Sequence, residues 1–348
     1  VPIYMDDIVD AALRGRLNIF LRGDTGSGKT QLVKDAMNYF GDKSIFILGR
    51  NDMDTRELFQ QVNPDFLKVL REVRDPNVKF KELSDKINYH FIGVDELPNC
   101  VSSVRNQLFN LFDGFIEIDG KAYPIGSDYC VGMATGNIGQ QFTESSNELG
   151  RALKDRMHLI IDTDHYRPQP IDTIEMLQQN RNPRVIFGPN VEDRIEDIRK
   201  SHRKLQEQEV PLEKYIIATY LVHGLDWLEG GRSKIGLKSG WPNKLEGHEA
   251  GSDAALILPV SPRAAKSIIT LSQALDQIIQ ERGATDLDYF NSMMTAFKFA
   301  SAYSGILNEA SVRQVYDENH YKAMDAVIDT TRAQLDGKKE HIAAGIEM

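Results

Sequence analysis

The eight-residue run Gly23-Asp24-Thr25-Gly26-Ser27-Gly28-Lys29-Thr30 constrains this chain more than any other segment. It satisfies G-x-x-x-x-G-K-[ST], follows the apolar stretch Ile19-Phe20-Leu21 and precedes a helical pattern over Gln31–Met37. Its glycines let the backbone curl so that successive N–H groups point inward, and the start of the next helix adds the positive end of its dipole. Such a loop is built to cradle phosphate. Gly23, Asp24, Thr25, Gly26, Ser27, Gly28, Lys29 and Thr30 are therefore the expected phosphate-binding residues. Lys29 would neutralise the outer phosphates of ATP and the Thr30 hydroxyl would be a ligand of Mg²⁺. A Gly-rich turn with a stray lysine is the competing reading, and the register of strand, loop and helix argues against it.

Around this loop the first half of the chain alternates short apolar runs with helical spacing, the pattern of a parallel sheet covered by helices. Strands are expected at Ile19–Arg22, Ser44–Leu48, Phe91–Asp95, Tyr129–Thr135 and His158–Asp162. Val101, Val104, Leu108, Leu111 and Phe112 recur at three- and four-residue spacing, as one buried helical stripe requires. After Asp162 the strand signal fades, and Tyr166-Arg167-Pro168-Gln169-Pro170 reads as a linker. The expected organisation is an α/β nucleotide-binding domain over residues 1–165 and a helical domain over 166–348. Within the latter, Ser261-Pro262 suits a helix N-terminus, and Ala264, Ile268, Leu271, Leu275 and Ile278 form the apolar face that follows. Glycines 230, 231, 236, 240, 247 and 251 mark a long surface loop near 228–258.

A second chemical signal is Phe91-Ile92-Gly93-Val94-Asp95-Glu96, an apolar strand that delivers two carboxylates at its end. Beside a phosphate loop, Asp95 is expected to help hold Mg²⁺ and Glu96 to act as the base that polarises attacking water. A protein that only binds ATP has no need of that base, so Glu96 predicts turnover.

The order of these motifs resembles the AAA+ superfamily, and more closely its MoxR-type branch, over roughly residues 5–165 and again over 259–280. The resemblance implies a P-loop AAA+ domain with a parallel five-stranded sheet, followed by an α-helical lid. Met133-Ala134-Thr135-Gly136-Asn137 is similar to the family's sensor strand, so Asn137 would orient water together with Glu96. Glu148-Leu149-Gly150-Arg151-Ala152-Leu153-Lys154-Asp155-Arg156-Met157 is similar to the segment that ends in a finger arginine acting on the neighbouring subunit. Arg156 is the first choice for that role and Arg151 the second; an Arg paired to a nearby surface acid is the plain alternative. Ser261-Pro262-Arg263-Ala264 resembles the lid-helix opening that places Arg263 on the nucleotide. The segments Phe115-Ile116-Glu117-Ile118 and Lys121-Ala122-Tyr123-Pro124-Ile125, joined by Asp119-Gly120, read as a hairpin. In similar rings that hairpin often faces the pore, making Lys121 and Tyr123 candidate pore or client contacts; a merely structural hairpin is the equal alternative. Leu58–His90 occupies the place of a family insertion without its usual features.

The resemblance further implies ATP and Mg²⁺ as cofactors, a homo-oligomeric ring, hexameric in the family's manner, a protein client and a partner with a von Willebrand factor A domain. The competing function is a nucleic-acid-dependent motor, which the net charge of −10 and pI near 5.4 disfavour. A nonhydrolysing scaffold is the third reading, and Glu96, Asn137 and Arg156 speak against it. The basic run Arg199, Lys200, His202, Arg203 and Lys204 is flanked by Glu192, Glu196, Glu207 and Glu209, so a solvated helix face is expected there. Cys100 and Cys130, the two cysteines, are expected to be core thiols. No run approaches the ~18 apolar residues of a membrane helix, and a cytoplasmic location without membrane insertion is the expectation.

Overall fold

The computed structural model describes residues 2–50, 52, 54–62, 81–137, 156–166, 174, 177, 193–223, 257, 260–336 and 340. The chain divides into two compact units, one of Val1–Leu17, His158–Ile161 and Lys200–Met348, the other of Asn18–Met157 and Asp162–Arg199.

The nucleotide-site unit is organised by strands β1 (Ile19–Arg22), β2 (Ser44–Leu48), β5 (Phe91–Asp95) and β8 (Val131–Gly136). With β9 (Leu159–Asp162) they make a five-stranded parallel sheet of order β2-β5-β8-β1-β9. Strands buried on both faces should read as continuous apolar runs, and Ile19, Phe20, Leu21, Phe91, Ile92, Val94, Val131 and Met133 are all buried. The fourth expected strand starts two residues late because the Tyr129 N–H closes a turn onto the Gly126 carbonyl at 3.1 Å. Helix α2 (Lys29–Asn38) packs so closely on β5 that a Cβ added at Gly93 would stand 2.8 Å from Val33 Cγ1. Phe40, just beyond α2, stacks on Phe91 with centroids 5.1 Å apart.

Of the Leu58–His90 region, which lacks the usual features of the family insertion, the described residues show the end of helix α3 (Thr55–Phe59) and a short antiparallel pair, β3 (Gln60–Val62) with β4 (Lys81–Leu83). Helix α4 (Ser102–Phe112) buries Val104, Leu108, Leu111 and Phe112 as expected, but Val101 is its N-cap and is 43% exposed. Strands β6 (Phe115–Ile118) and β7 (Lys121–Pro124) form the expected hairpin. Its turn has φ of 51° at Asp119 and 73° at Gly120, the doubly positive pattern of a primed turn.

In the other unit, helix α1 (Met5–Arg14) packs on α7 (Pro262–Glu281), and Arg14 Nη1 bonds Glu281 Oε1 at 2.7 Å. Between α1 and α7 in sequence come α5 (Ile195–Glu207), which begins in the nucleotide-site unit, and α6 (Leu212–His223). Helices α8 (Tyr289–Ser301), α9 (Glu309–Val315) and α10 (His320–Asp336) complete the described helical region. Helix α7 starts as the sequence predicts: Pro262 is in its first turn and Ser261 Oγ accepts the Ala264 N–H at 3.2 Å. The single apolar stripe was too narrow a reading. Residues 271–278 are buried all round because α1, α6 and α8 pack on different sides of the helix. Ile268, Leu271 and Leu275 have no exposure, and each such side chain contributes about 1.5–3 kcal/mol of burial.

The Gly-rich 228–258 stretch lies outside the described residues except for Ile257, which bridges Leu307, and of the linker 166–170 only Tyr166 is described. Cys100 and Cys130 are buried and are not joined in a disulfide. Among the described residues, no helix is long and apolar enough to cross a membrane.

Candidate active site

Parallel register decides what meets at the edge of the sheet. Val94 pairs with Ala134, and Leu21 and Arg22 pair with Thr135 and Gly136, so Asp95, Thr135 and the loop after Arg22 leave the sheet at the same carboxyl edge. Ligands of open α/β sheets bind at that edge.

The phosphate loop follows from its glycines. Gly26 and Gly28 have φ of 82° and 84°, and Gly28 is the left-handed N-cap of α2, a conformation that side chains with a Cβ resist. Lys29 is only 9% exposed and folds back over the loop. Its Nζ donates to the carbonyls of Gly23 at 2.9 Å and Asp24 at 2.6 Å. Burial lowers its pKa, while the carboxylates of Asp164, Asp24, Asp95 and Asp162 work against that shift.

Facing the lysine are the two acids of β5. Thr30 Oγ1 donates to Asp95 Oδ1 at 3.0 Å, and Thr135 Oγ1 donates to the same oxygen at 2.5 Å. Glu96 adopts φ 56° and ψ 41°, left-handed backbone that costs a non-glycine residue on the order of 1–2 kcal/mol. Its N–H donates to Thr135 Oγ1 at 3.1 Å, its carbonyl accepts the Asn99 N–H at 3.0 Å and its carboxylate accepts Asn99 Nδ2 at 3.0 Å. Lys29, Thr30, Asp95, Glu96, Thr135 and Asn137 all line one cavity of about 270 Å³.

The loop is also held from the far end of β9. Asp164 Oδ2 accepts the Asp24 N–H at 2.9 Å, the Thr163 hydroxyl donates to the Arg22 carbonyl at 3.0 Å, and Ser27 Oγ lies 2.7 Å from Thr163 Oγ1.

Asn137 is exposed at the cavity rim. Arg156 lies within the same unit, where its Nε bonds Asp113 Oδ2 at 3.2 Å and its guanidinium sits 5.2 Å from the Phe109 ring centre. That is the surface pairing the sequence held as the alternative to a finger, and a 32% exposed side chain leaves the arginine accessible. Buried Asn18, which the sequence reading passed over, fixes the backbone there by donating to the carbonyls of Phe112 at 2.7 Å and Arg156 at 3.2 Å. Arg151 lies outside the described residues. Arg263 is exposed in the first turn of α7, in the other unit. Lys121 is exposed on β7, and Arg199 of the basic run is paired with Asp128 at 2.7 Å and Glu196 at 2.8 Å. Thr135, Asn99, Thr163 and Asp164 were missed, although a Thr two residues before Asn137 and acids just past a strand end were visible in the sequence.

The donor set suits Mg²⁺, a hard cation that takes oxygen ligands, few of them from protein. A hydroxyl and a carboxylate stand together at Thr30 and Asp95 beside Lys29. Among the described residues there is no cluster of three or more His, Cys, Asp or Glu that would make a protein-only metal cage.

Residues 18–157 match the AAA domain, dynein-related subfamily. The matched stretch holds the phosphate loop, both acids of β5, Asn137 and Arg156. The chain is similar in fold to the crystal structure of a candidate ATPase from Cytophaga hutchinsonii ATCC 33406, with a TM-score of 0.64 and 16% identity over 95% of this chain and 88% of that one. No curated protein sequence matches. The architecture is thus the P-loop AAA+ α/β fold, a parallel five-stranded sheet with a helical C-terminal region, and the match to the AAA domain supports an ATPase.

Proposed function

We propose that this chain is a Mg²⁺-dependent ATPase that works as a ring-shaped, MoxR-like remodelling enzyme on a protein client. The observation that carries the reading is the single cavity in which Lys29, Thr30, Asp95 and Glu96 face one another. In it, the loop amides and Lys29 bind the phosphates and Thr30 with Asp95 would hold the metal. Bound Mg²⁺ supplies charge neutralisation of the phosphates. Glu96, its backbone held in one conformation by Thr135 and Asn99, takes the proton of the attacking water, and Asn137 at the rim orients that water.

Arg156 is proposed to serve the site of a neighbouring copy. A guanidinium supplied in trans stabilises charge in the transition state and makes turnover depend on assembly. Arg263 is proposed to reach the nucleotide from the helical lid, residues 166–348 in this reading, and so to convert hydrolysis into movement. A hexamer, a cytoplasmic setting and a partner carrying a von Willebrand factor A domain belong to the same proposal and rest on the MoxR resemblance.

The test is ATP hydrolysis against protein concentration for wild type, Glu96→Gln and Arg156→Ala, with and without single-stranded and duplex DNA. Specific activity that rises with concentration, is abolished by both substitutions and ignores DNA supports the proposal. Activity independent of concentration and retained in Arg156→Ala removes the shared site. Strong stimulation by DNA replaces remodelling of protein with a nucleic-acid motor.

A further inference from the structure

The Thr135 hydroxyl occupies an unusual place. It is buried, with 1% exposure at the end of β8, and it joins the side chain of one acid to the backbone of the next. As donor it reaches Asp95 Oδ1 at 2.5 Å, and as acceptor it takes the Glu96 N–H at 3.1 Å. One hydroxyl has one proton and two lone pairs, so both bonds form at once. Asp95 Oδ1 is meanwhile shared with Thr30 Oγ1. The three oxygens link the start of α2, the end of β5 and the end of β8.

We infer that Thr135 is a positioning residue for hydrolysis, one that fixes the Asp95 carboxylate for the metal and holds Glu96 in its left-handed backbone. The inference rests on the ATPase reading above and goes beyond it in assigning a task to a residue outside the set which that reading uses. Two physical facts carry it. The φ of 56° at Glu96 is unfavourable for an L side chain and persists only where surrounding bonds determine it. A hydrogen bond to a charged carboxylate is also stronger than one between neutral groups, so Thr135 restrains which way the Asp95 oxygens face.

Thr135→Val keeps the shape and removes both bonds; Thr135→Ser keeps the hydroxyl. The valine variant should lose about tenfold or more in kcat, while KM for ATP stays close to wild type. It should also need severalfold more Mg²⁺ for half-maximal binding of a fluorescent ATP analogue. Thr135→Ser should recover most of both properties. Thermal melting of each variant shows that the fold is retained, and Thr135→Ala, which adds no bulk, takes the place of valine if that variant unfolds.

Equal losses in Val and Ser, or wild-type kcat and Mg²⁺ dependence in Val, overturn the assignment. Glu96→Gln is assayed alongside: if wild type and Glu96→Gln both fail to hydrolyse ATP, the ATPase reading falls. The role in hydrolysis falls with it, and the Mg²⁺ titration then decides the metal-positioning part by itself, with an unchanged midpoint in Val refuting it and a raised midpoint restored by Ser upholding it.

Discussion

The Asp164 carboxylate accepts the backbone N–H of Asp24 at 2.9 Å. An acid from beyond β9 thereby holds the opening of the phosphate loop, and it is also the leading carboxylate acting on the Lys29 ammonium. A negative charge in that position stabilises the lysine folded on its own loop and opposes an incoming triphosphate. Asp164→Asn keeps an acceptor for the amide and removes the charge. ATP should then bind about two- to fivefold more tightly at low salt, the difference shrinking as ions screen it. Fluorescent-nucleotide titration at two ionic strengths measures this. Weaker binding by the Asn variant would instead mean that the ionised carboxylate is needed to shape the loop.

The sequence made the phosphate loop and both β5 acids readable because each lies in one contiguous stretch whose periodicity and motif agree. Thr135 and Asp164 were not readable in the same way. The first matters only through parallel register, which puts it beside Asp95, 40 positions away. The second acts across 140 positions. Three-residue strands such as Gln60–Val62 and Lys81–Leu83 are too short for alternation to show. Helix α7 looked like a one-sided helix because a stripe reports one partner, whereas α1, α6 and α8 all pack on it.

Close approach of α2 to the sheet makes Gly93 a second point of test. A methyl there would stand 2.8 Å from Val33 Cγ1, whose side chain is fully buried. Gly93→Ala should destabilise the protein by about 1–3 kcal/mol through overpacking and raise KM for ATP, because α2 begins with Lys29 and Thr30. Adding Val33→Ala makes room, so the double variant should be more stable than the sum of the single effects predicts. Urea unfolding of the four proteins checks it; strict additivity would show that the clash is relieved elsewhere.

Lys214 and Asp276 form an ion pair of 2.6 Å with side chains 0% and 6% exposed. Burial lowers the lysine's pKa and raises the aspartate's, so each charge persists through the other. Lys214 Nζ also bonds Ser272 Oγ at 2.9 Å. Asp276→Leu leaves a buried cation and should cost about 3–5 kcal/mol, whereas Lys214→Met with Asp276→Leu should recover most of that loss. Denaturant midpoints of the single and double variants measure the difference. If the double variant is no better than Asp276→Leu, packing rather than charge governs the site.

His158 gives the helical unit a pH dependence of definite sign. Burial first, and then the guanidiniums of Arg263 and Arg16, lower its pKa from 6.5 to about 4. Above pH 6.5 the ring is neutral in both folded and unfolded chains and contributes no slope. Between pH 6.5 and about 4 the unfolded chain binds the proton that the folded one refuses, so stability falls as pH falls. Over that window the loss is on the order of 3 kcal/mol. Replacing the group by His158→Gln removes this contribution, so the stability of wild type relative to the variant should decline steadily from pH 7 to pH 4.5. Urea unfolding of both proteins across that range is the measurement. A difference that stays constant with pH would mean that His158 takes up its proton in the folded protein as readily as in the unfolded chain, and that the two arginines are too well solvated to oppose it.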